Sequence, residues 1–285
     1  MNIDIDDLIQ DTIKLVSLPD VYYRLEEAIN HPHTSLDDMG EIIASDPNLA
    51  SRLLRIANSA FFGFPEKIES IKRAIITVGT QQLRDLVLAT TVISRFSKMP
   101  NVGCNMRSFW EHSIAVGVTA RIIANHHNEN NAERFYVAGL MHDIGRLVLY
   151  IKQPDIMRQL LEKREKNNVL LYMLERDTFG FDHATVGGTL LNAWHVPQSL
   201  YEPVYFHHEP ESAQNYPTET MAIHIADIIV NGFKIGSSGE RLIPPPYTDA
   251  WQHLAIDSQA LTAITHTMEQ SYQDTVMLFL ADTVI

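Results

Sequence analysis

The sequence predicts an all-α protein made of two helical lobes. Apolar residues recur three and four positions apart through most of the chain, which places them on one face of a helix. Prolines, glycines and capping residues divide these stretches into separate helices, and the first lobe shows no strand-like alternation of apolar and polar residues. Because 45% of the 285 residues are hydrophobic and only 20% are charged, the chain can bury a sizeable core.

The first lobe is expected to contain six helices. They begin beside residues that can accept hydrogen bonds from free backbone N–H groups, or end before a proline or glycine. The expected helices occupy residues 6–16, residues 21–30 with Asp20 as the cap, a segment that Ser35 caps, a segment after Ser45-Asp46-Pro47, residues 71–78 closed by Gly79, and a longer segment that Thr80 caps. Residues 58–63 are expected to form a turn with two adjacent phenylalanines.

A polar stretch at residues 97–105 separates the two lobes. It contains Pro100 and Gly103 and few apolar side chains, so we expect the first lobe to span residues 1–100 and the second residues 101–285. Helices of the second lobe are expected at residues 107–126, 133–150 and 154–167, from Asp182, from Pro197 to His207, at residues 221–231 with Thr218 as the cap, and at residues 258–279. Residues 235–247 are expected to form a loop, and the final helix to pack back on the body of the protein.

Charge and composition exclude several classes of partner. A net charge of −13 would repel a nucleic-acid backbone or an anionic membrane. No apolar run is long enough to span a bilayer, and the acidic residues 1–7 do not resemble a secretory signal. The single cysteine, Cys104, excludes an internal disulfide and is expected to be inert, with a reactive thiol as the alternative. We therefore expect a cytoplasmic protein, and the sequence does not indicate its oligomeric state.

An adjacent histidine and aspartate, His142-Asp143, interrupt an otherwise apolar helical segment. Burying an imidazole and a carboxylate is costly unless something binds them, and a metal ion is the simplest such partner. The candidate ligands, in chain order, are His112, His142, Asp143, His183, His207, His208 and Asp227. This set could hold two ions if Asp143 bridged them, and mixed imidazole and carboxylate ligands favour Fe, Mn, Zn or Ni over Mg or Ca. The alternative for the pair alone is a helix end whose polar groups the protein itself satisfies.

Short motifs in both lobes carry a family resemblance. In the first lobe they are Leu18-Pro19, Ser45-Asp46-Pro47, LLRIANSA at residues 53–60 and AIITVG at residues 74–79. In the second lobe they are FWEHS at residues 109–113, GLMHDIG at residues 139–145, HATVG at residues 183–187, and the stretch from Trp194 to Pro210. Together they closely resemble the HDOD family, bacterial regulatory modules related to the HD phosphohydrolases. The resemblance covers about residues 18–227, most of the chain.

The resemblance implies that the second lobe is an HD-like helical bundle with metal ligands on facing helices. Carried over by position, one ion would be held by His112, His142, Asp143 and Asp227, and a second by Asp143, His183, His207 and His208. Active HD proteins use such ions to hydrolyse phosphate esters. The candidate catalytic residues are therefore Asp143 and Arg146. We expect His224, one turn before Asp227, to support the site rather than to bind metal.

Two motifs differ from those of the HD-GYP phosphodiesterases, which the second lobe also resembles. Those enzymes have a lysine where Arg146 stands, and arginine keeps the positive charge without the same geometry. They also carry Asp-Gly-Ser-Gly-Tyr-Pro after His-His-Glu, whereas residues 212–217 read SAQNYP in this chain. These differences disfavour hydrolysis of cyclic dinucleotides.

These observations predict a signal-transduction or regulatory module that acts by binding a partner and retains the metal site as a structural or sensing element. The partner would be a regulatory protein or a small phosphorylated ligand, with a surface expected near Phe62, at or beside the groove between the lobes. The alternative is a metal-dependent phosphohydrolase, either a phosphodiesterase or a nucleotide phosphatase. The full ligand set favours the enzyme, and the missing Asp-Gly-Ser-Gly string favours the regulatory module.

Overall fold

All regular secondary structure in the described part of the chain is helical, which confirms the predicted fold class. The computed structural model describes residues 4–59, 61–97 and 105–280. The first helices are α1 Ile5–Leu15, α2 Asp20–Asn30, α3 Leu36–Ala44, α4 Pro47–Ala57, α5 Ile71–Val78 and α6 Thr80–Phe96. The next are α7 Met106–His126, α8 Ala132–Met141, α9 Ile144–Lys152, α10 Pro154–Asn167, α11 Leu171–Phe179 and α12 His183–Ala193. The last are α13 Gln198–Phe206, α14 Pro217–Phe233, α15 Thr248–His253 and α16 Ser258–Leu280, with a 3₁₀ turn at Pro210–Ser212.

The described residues form two compact units, and neither is contiguous in sequence. The smaller unit contains residues 17–97 and 273–280, and the larger unit contains residues 4–16 and 105–272. Helix α1 belongs to the larger unit because it contacts α9 and α12, and its Leu8 and Ile9 are buried. The predicted boundary between residues 100 and 101, like Cys104, lies outside the described residues and stays a prediction. No helix in the described ranges is long and apolar enough to cross a membrane.

Several helices begin close to the predicted residue but not at it. Ser35 caps α3 as expected, and its hydroxyl accepts the N–H of Asp38 at 3.1 Å. The predictions for Asp20, Thr80 and Thr218 are wrong. These residues lie inside their helices, and the caps are Pro19, Gly79 and Tyr216, none of which makes a side-chain cap hydrogen bond. Proline at the first position of α14 lacks an N–H group. The start of this helix therefore has one backbone hydrogen-bond donor fewer that needs a partner.

The predicted helix over residues 133–150 is in fact two helices, α8 and α9. They are separated at His142 and Asp143, where Asp143 adopts φ −98° and ψ 6°. Both helices are buried on nearly every side, so their apolar residues form one continuous run in the sequence and conceal the break. The prediction also left α11 and α15 unassigned. The His-Asp pair therefore lies at a junction between helices and not within one.

Pairs of glycines bring the helices of the larger unit into close contact. A Cβ atom on Gly139 of α8 would lie 2.9 Å from the Cα of Gly117 on α7. A Cβ atom on Gly145 of α9 would lie 2.0 Å from the carbonyl oxygen of His183 and 2.4 Å from the backbone N of Gly187 on α12. These glycines have no side chain, so the backbones of α7, α9 and α12 can come close to the helix junction at His142 and Asp143. A larger residue would not fit at these contacts.

Candidate metal centre

The structure brings all seven predicted ligands together inside the larger unit. They come from the middle of α7, the junction of α8 and α9, the start of α12, the residues after α13, and α14. Six of them are between 0% and 5% exposed, and His208 is half-buried. These residues form three groups, and within each group the possible ligand atoms lie within 4.8 Å of one another. The first group is His112, His142 and Asp227, and the second is His183, His207 and His208. The third, His142, Asp143 and His207, overlaps both. The identity of these residues as metal ligands stays a prediction.

Asp143 lies between the two outer groups. Its Oδ1 is 2.8 Å from Nε2 of His183, and its Oδ2 is 3.2 Å from Nε2 of His142 and 3.7 Å from Nε2 of His112. On the far side of the first group, Oδ1 of Asp227 is 3.2 Å from Nε2 of His112. The two oxygens of Asp143 therefore face different histidine groups, as a bridging carboxylate must.

Backbone carbonyl groups orient two of the histidines. Nδ1 of His142 lies 2.7 Å from the carbonyl oxygen of Gly139, and Nδ1 of His207 lies 2.8 Å from that of Val204. A carbonyl oxygen only accepts, so each Nδ1 carries the proton and donates it. When Nε2 carries no proton, each ring directs a lone pair into the cluster. Neither Nε2 makes a hydrogen bond within the described residues, although both atoms are buried. Buried nitrogen atoms left in this state are what a metal ion would satisfy.

His224 supports this arrangement and has no nitrogen left for a metal. Its Nδ1 lies 2.8 Å from the carbonyl oxygen of His207, and its Nε2 accepts the backbone N–H of Tyr247 at 3.0 Å. Since both ring nitrogens bind backbone groups, His224 holds the segment that carries His207. This geometry agrees with the supporting role expected from the sequence.

Glu175, on α11, is a member of the site that the sequence analysis missed. It is fully buried, and its Oε2 lies 2.6 Å from Nδ1 of His183 and accepts the backbone N–H of His183 at 2.9 Å. A carboxylate on one ring nitrogen fixes the ring and raises the basicity of the other nitrogen. The signal was present in the sequence, because Leu171, Glu175 and Phe179 are spaced four apart and share one face of α11.

Arg146 is only 2% exposed, and each of its nitrogen atoms faces a group of the interior. Nη1 donates to the hydroxyl of Ser238 at 2.6 Å and lies 3.6 Å from Oδ2 of Asp143. Nη2 lies 2.9 Å from Nδ1 of His183, and Nε lies 3.4 Å from Oε1 of Glu175. The guanidinium group therefore compensates two buried carboxylates of the cluster.

The loop at residues 235–240 packs against the same side of the cluster. Gly236 has φ +59°, and a Cβ atom there would lie 2.3 Å from the carbonyl oxygen of Ser108 and 2.5 Å from the backbone N of His112. The carbonyl oxygen of Ser238 accepts the hydroxyl of Tyr150 at 2.9 Å. Glu240 accepts the N–H of Leu171 at 2.7 Å. The loop is thus bonded to the helices that carry His112, Arg146 and Glu175.

Neighbouring carboxylates raise the pKa values of two of the histidines when no metal is bound. Burial disfavours the charged form of His142, but the neighbouring Asp143 carboxylate raises its pKa to about 10. Burial and Arg146 also disfavour protonation of His183, yet Glu175 and Asp143 raise its pKa to about 9. A metal ion needs the lone pair on each of these rings, so its binding would displace protons.

The remaining charges favour a bound cation. Burial opposes ionisation of Asp143, but Arg146 and the nearby histidines hold its pKa well below the usual range. Burial also opposes ionisation of Asp227, but the neighbouring imidazoles of His112 and His142 hold its pKa well below the usual range. Burial, together with the positive charges of His142 and His183, lowers the pKa of His207 to about 3, so this ring is a neutral donor. Ionised carboxylates and neutral imidazole donors are the ligands that Fe, Mn, Zn and Ni accept, so the residues present fit such an ion.

Comparison with known proteins finds one relative in sequence. An uncharacterised protein of Treponema pallidum (strain Nichols) is 23% identical over 258 residues, which are 90% of this chain and 49% of that protein. The chain thus spans about half the length of the curated relative it matches.

Two solved structures share the fold. An HDOD domain protein of unknown function from Geobacter sulfurreducens has a TM-score of 0.76 and 20% identity, over 99% of this chain and 100% of that one. A candidate phosphohydrolase from Shewanella amazonensis SB2B has a TM-score of 0.71 and 22% identity, over 95% and 96% of the two chains. The family model of the HDOD domain matches residues 15–210, more than half of the sequence, and the chain therefore belongs to the HDOD domain family.

Proposed function

We propose that this HDOD protein is a cytoplasmic signal-transduction module that acts by binding a partner, and that its metal centre is a structural or sensing element. The proposal rests on the contacts of Arg146 with buried groups of the cluster. Arg146 is the cation nearest the cluster, and its nitrogen atoms face Asp143, Glu175, His183 and Ser238.

A hydrolase needs a positive group that can neutralise charge on the phosphate as it grows in the transition state. To do so, Arg146 would have to leave Ser238 and expose two buried carboxylates, Asp143 and Glu175, whose charges it now compensates. Removing the partner of a buried charge costs several kcal/mol, on the order of 3–5 kcal/mol in measured cases. The arrangement therefore supports a cluster built to hold its own charges.

The partner surface that we propose lies at the aromatic residues after α4. Phe61 and Phe62 are half-buried, with ring centroids 5.2 Å apart, and Phe62 stacks on Phe64 at 5.5 Å. Clustered aromatic rings that remain partly accessible to solvent are common at the centre of protein–protein interfaces. A regulatory protein bound there is one form of the proposed partner.

Purified protein distinguishes the regulatory role from the enzymatic one. We expect it to contain a transition metal that His142→Ala removes, with a lower melting temperature, because the metal stabilises only the folded state. His266→Ala is the matched control, since His266 is exposed on α16. Metal-loaded protein should not turn over cyclic dinucleotides or other phosphoesters. Turnover that Asp143→Asn abolishes and His266→Ala preserves would contradict the regulatory proposal.

The partner surface has a separate test. Phe62→Ala should lose a co-purifying protein that the wild-type chain retains, whereas Phe233→Ala, which removes another half-exposed phenylalanine, should retain it. Circular dichroism must show that both variants fold. Retention of every partner by folded Phe62→Ala would exclude this surface.

The second candidate is a metal-dependent phosphohydrolase, and the position of Asp143 favours it. Its two oxygens face separate histidine groups at 2.8 Å and 3.2 Å, which suits a two-metal centre. Two bound metal ions would act as Lewis acids in the hydrolysis of a phosphoester. In that case Glu175 would hold the ring of His183, and Arg146 would have to turn from Ser238 toward the substrate.

A further inference from the structure

A cavity of about 710 Å³ lies in the smaller unit, among residues of α4 and α6 and the segment before α2. Its size is in the range of sites for small molecules and cofactors. Arg52 and Arg55 stand three positions apart on α4 and line it from one side. Thr91, Ser94 and Arg95 line it from α6, which packs against α4. The spacing of three and four residues on each helix puts these polar side chains on the faces that meet at the cavity.

The described residues that line this cavity include more basic than acidic side chains. Three guanidinium groups line it in a chain whose net charge is −13. The only acidic residue among its described lining residues is Asp46. The carboxylate of Asp46 already accepts the N–H groups of Asn48 at 3.0 Å and Leu49 at 3.1 Å, as the cap of α4. A concentration of arginine in an acidic protein produces a local field that attracts anions.

Three of the side chains that line the cavity have hydrogen-bond donors available for a ligand. Within the part of the chain that the structure describes, Arg95 has no ion pair, and the hydroxyl groups of Thr91 and Ser94 donate to no protein group. By contrast, the adjacent Thr90 donates to the carbonyl oxygen of Leu86 at 2.9 Å. Guanidinium groups bind phosphate oxygens through paired hydrogen bonds, and hydroxyl groups complete such sites.

We propose that the cavity between α4 and α6 binds a small molecule that carries two or more phosphate groups, such as pyrophosphate or a nucleoside triphosphate. The inference deepens the proposed function, because it names the class of the small-molecule partner. None of the described lining residues is aromatic, so these residues offer no aromatic ring on which a base can stack. Recognition therefore depends on the phosphate groups, and the identity of the base has little effect on affinity.

The test is isothermal titration calorimetry of the protein with five probes, which are inorganic phosphate, pyrophosphate, ATP, GTP and adenosine. We expect pyrophosphate, ATP and GTP to bind more tightly than inorganic phosphate, with ATP and GTP within about threefold of each other. Affinity should fall as salt is added, because the arginines are partly exposed and their field is screened. Adenosine should not bind. A clear preference for one base, or binding of adenosine, would contradict recognition through phosphate.

Variants locate the site. Arg95→Gln should weaken pyrophosphate binding at least tenfold, since it removes a charged hydrogen-bond donor, and Arg95→Lys should restore part of it. Arg24→Gln is the control, because Arg24 is an exposed arginine on α2 of the same unit. Its binding should equal that of the wild type.

A further variant separates this site from the metal centre. His142→Ala should bind pyrophosphate as the wild type does, even if its metal is lost. Binding that His142→Ala abolishes and Arg95→Gln preserves would place the ligand at the metal centre and overturn the inference. Failure of all the phosphorylated probes to bind wild-type protein would also overturn it. Either result would leave the metal-content and turnover tests of the proposed function unaffected.

Discussion

The substitution Gly236→Ala adds one methyl group to the loop at residues 235–240 and tests whether the close packing of this loop stabilises the protein. In Gly236→Ala, the new Cβ atom would lie 2.3 Å from the carbonyl oxygen of Ser108 and 2.5 Å from the backbone N of His112, so backbone atoms must move. The left-handed φ of +59° adds about 1–2 kcal/mol for a residue with a side chain. Overpacking of this kind adds about 1–3 kcal/mol.

Detachment of the loop sets an upper limit on this destabilisation. If the loop leaves its position, it loses four hydrogen bonds to the helices, which are those from Arg146 and Tyr150 to Ser238, from the N–H of Ser237 to Ser108 and from the N–H of Leu171 to Glu240. Each contributes about 1 kcal/mol, so detachment costs about 4 kcal/mol. We expect Gly236→Ala to lower the free energy of unfolding by about 2–4 kcal/mol and to open the loop. A change of this size raises the population of the open loop at least tenfold.

The assay combines denaturant unfolding with the rate at which a chelator removes metal from loaded protein. Gly180→Ala is a matched control, because Gly180 also has a left-handed φ, +87°, but a Cβ atom there would meet nothing within 4 Å. It should show the conformational cost alone, with a normal rate of metal release. Gly236→Ala should release metal at least ten times faster than the wild type. Equal release rates and equal losses of stability in the two variants would refute the reasoning.

Three further predictions concern the cluster itself. Metal binding at pH 7 should release about two protons, from His142 and His183, whose pKa values are about 10 and about 9 without metal; calorimetry in buffers of different ionisation enthalpy measures the number. Metal affinity should therefore fall as the pH is lowered. Stability of the metal-free protein should be lost as the pH rises through 9 and 10, because protonation of these rings stabilises the folded state fully only below the unfolded pKa of about 6.5; a constant melting temperature over this range would contradict it. Glu175→Gln should weaken metal binding about 10- to 100-fold, with Glu162→Gln on α10 as the control.

The candidate ligands, which the structure places close together, could be picked out from the sequence because histidines and aspartates are conspicuous in apolar helices. The geometry that organises them could not. The sequence concealed the break at His142 and Asp143, since α8 and α9 are buried on nearly every side and their apolar pattern runs through the junction. A break of this kind is decided by side-chain bonds such as that from His142 to the carbonyl group of Gly139. Periodicity carries no information about these bonds.

Contacts between distant parts of the chain were also beyond the sequence. Arg146 meets Ser238, a residue 92 positions away in a segment that the sequence identifies only as a loop. The charge of Arg146 suggested a phosphate ligand, but its partners are the buried groups of the cluster. Glu175 could have been found, because its spacing to Leu171 and Phe179 places a carboxylate on an apolar face. That inference first requires α11 to be recognised as a helix.

Amide exchange at the ends of α8 and α13 can be used to detect metal binding. His142 directly follows Met141, the last residue of α8, and His207 directly follows Phe206, the last residue of α13. Each ring donates its Nδ1 proton to a carbonyl group in the final turn of the preceding helix. An imidazole that fixes a metal at Nε2 therefore also fastens a helix terminus that would otherwise fray. Hydrogen–deuterium exchange of the amides in these two final turns should consequently slow when metal is added. It should slow at both helices together, although their ends are 65 residues apart in the chain.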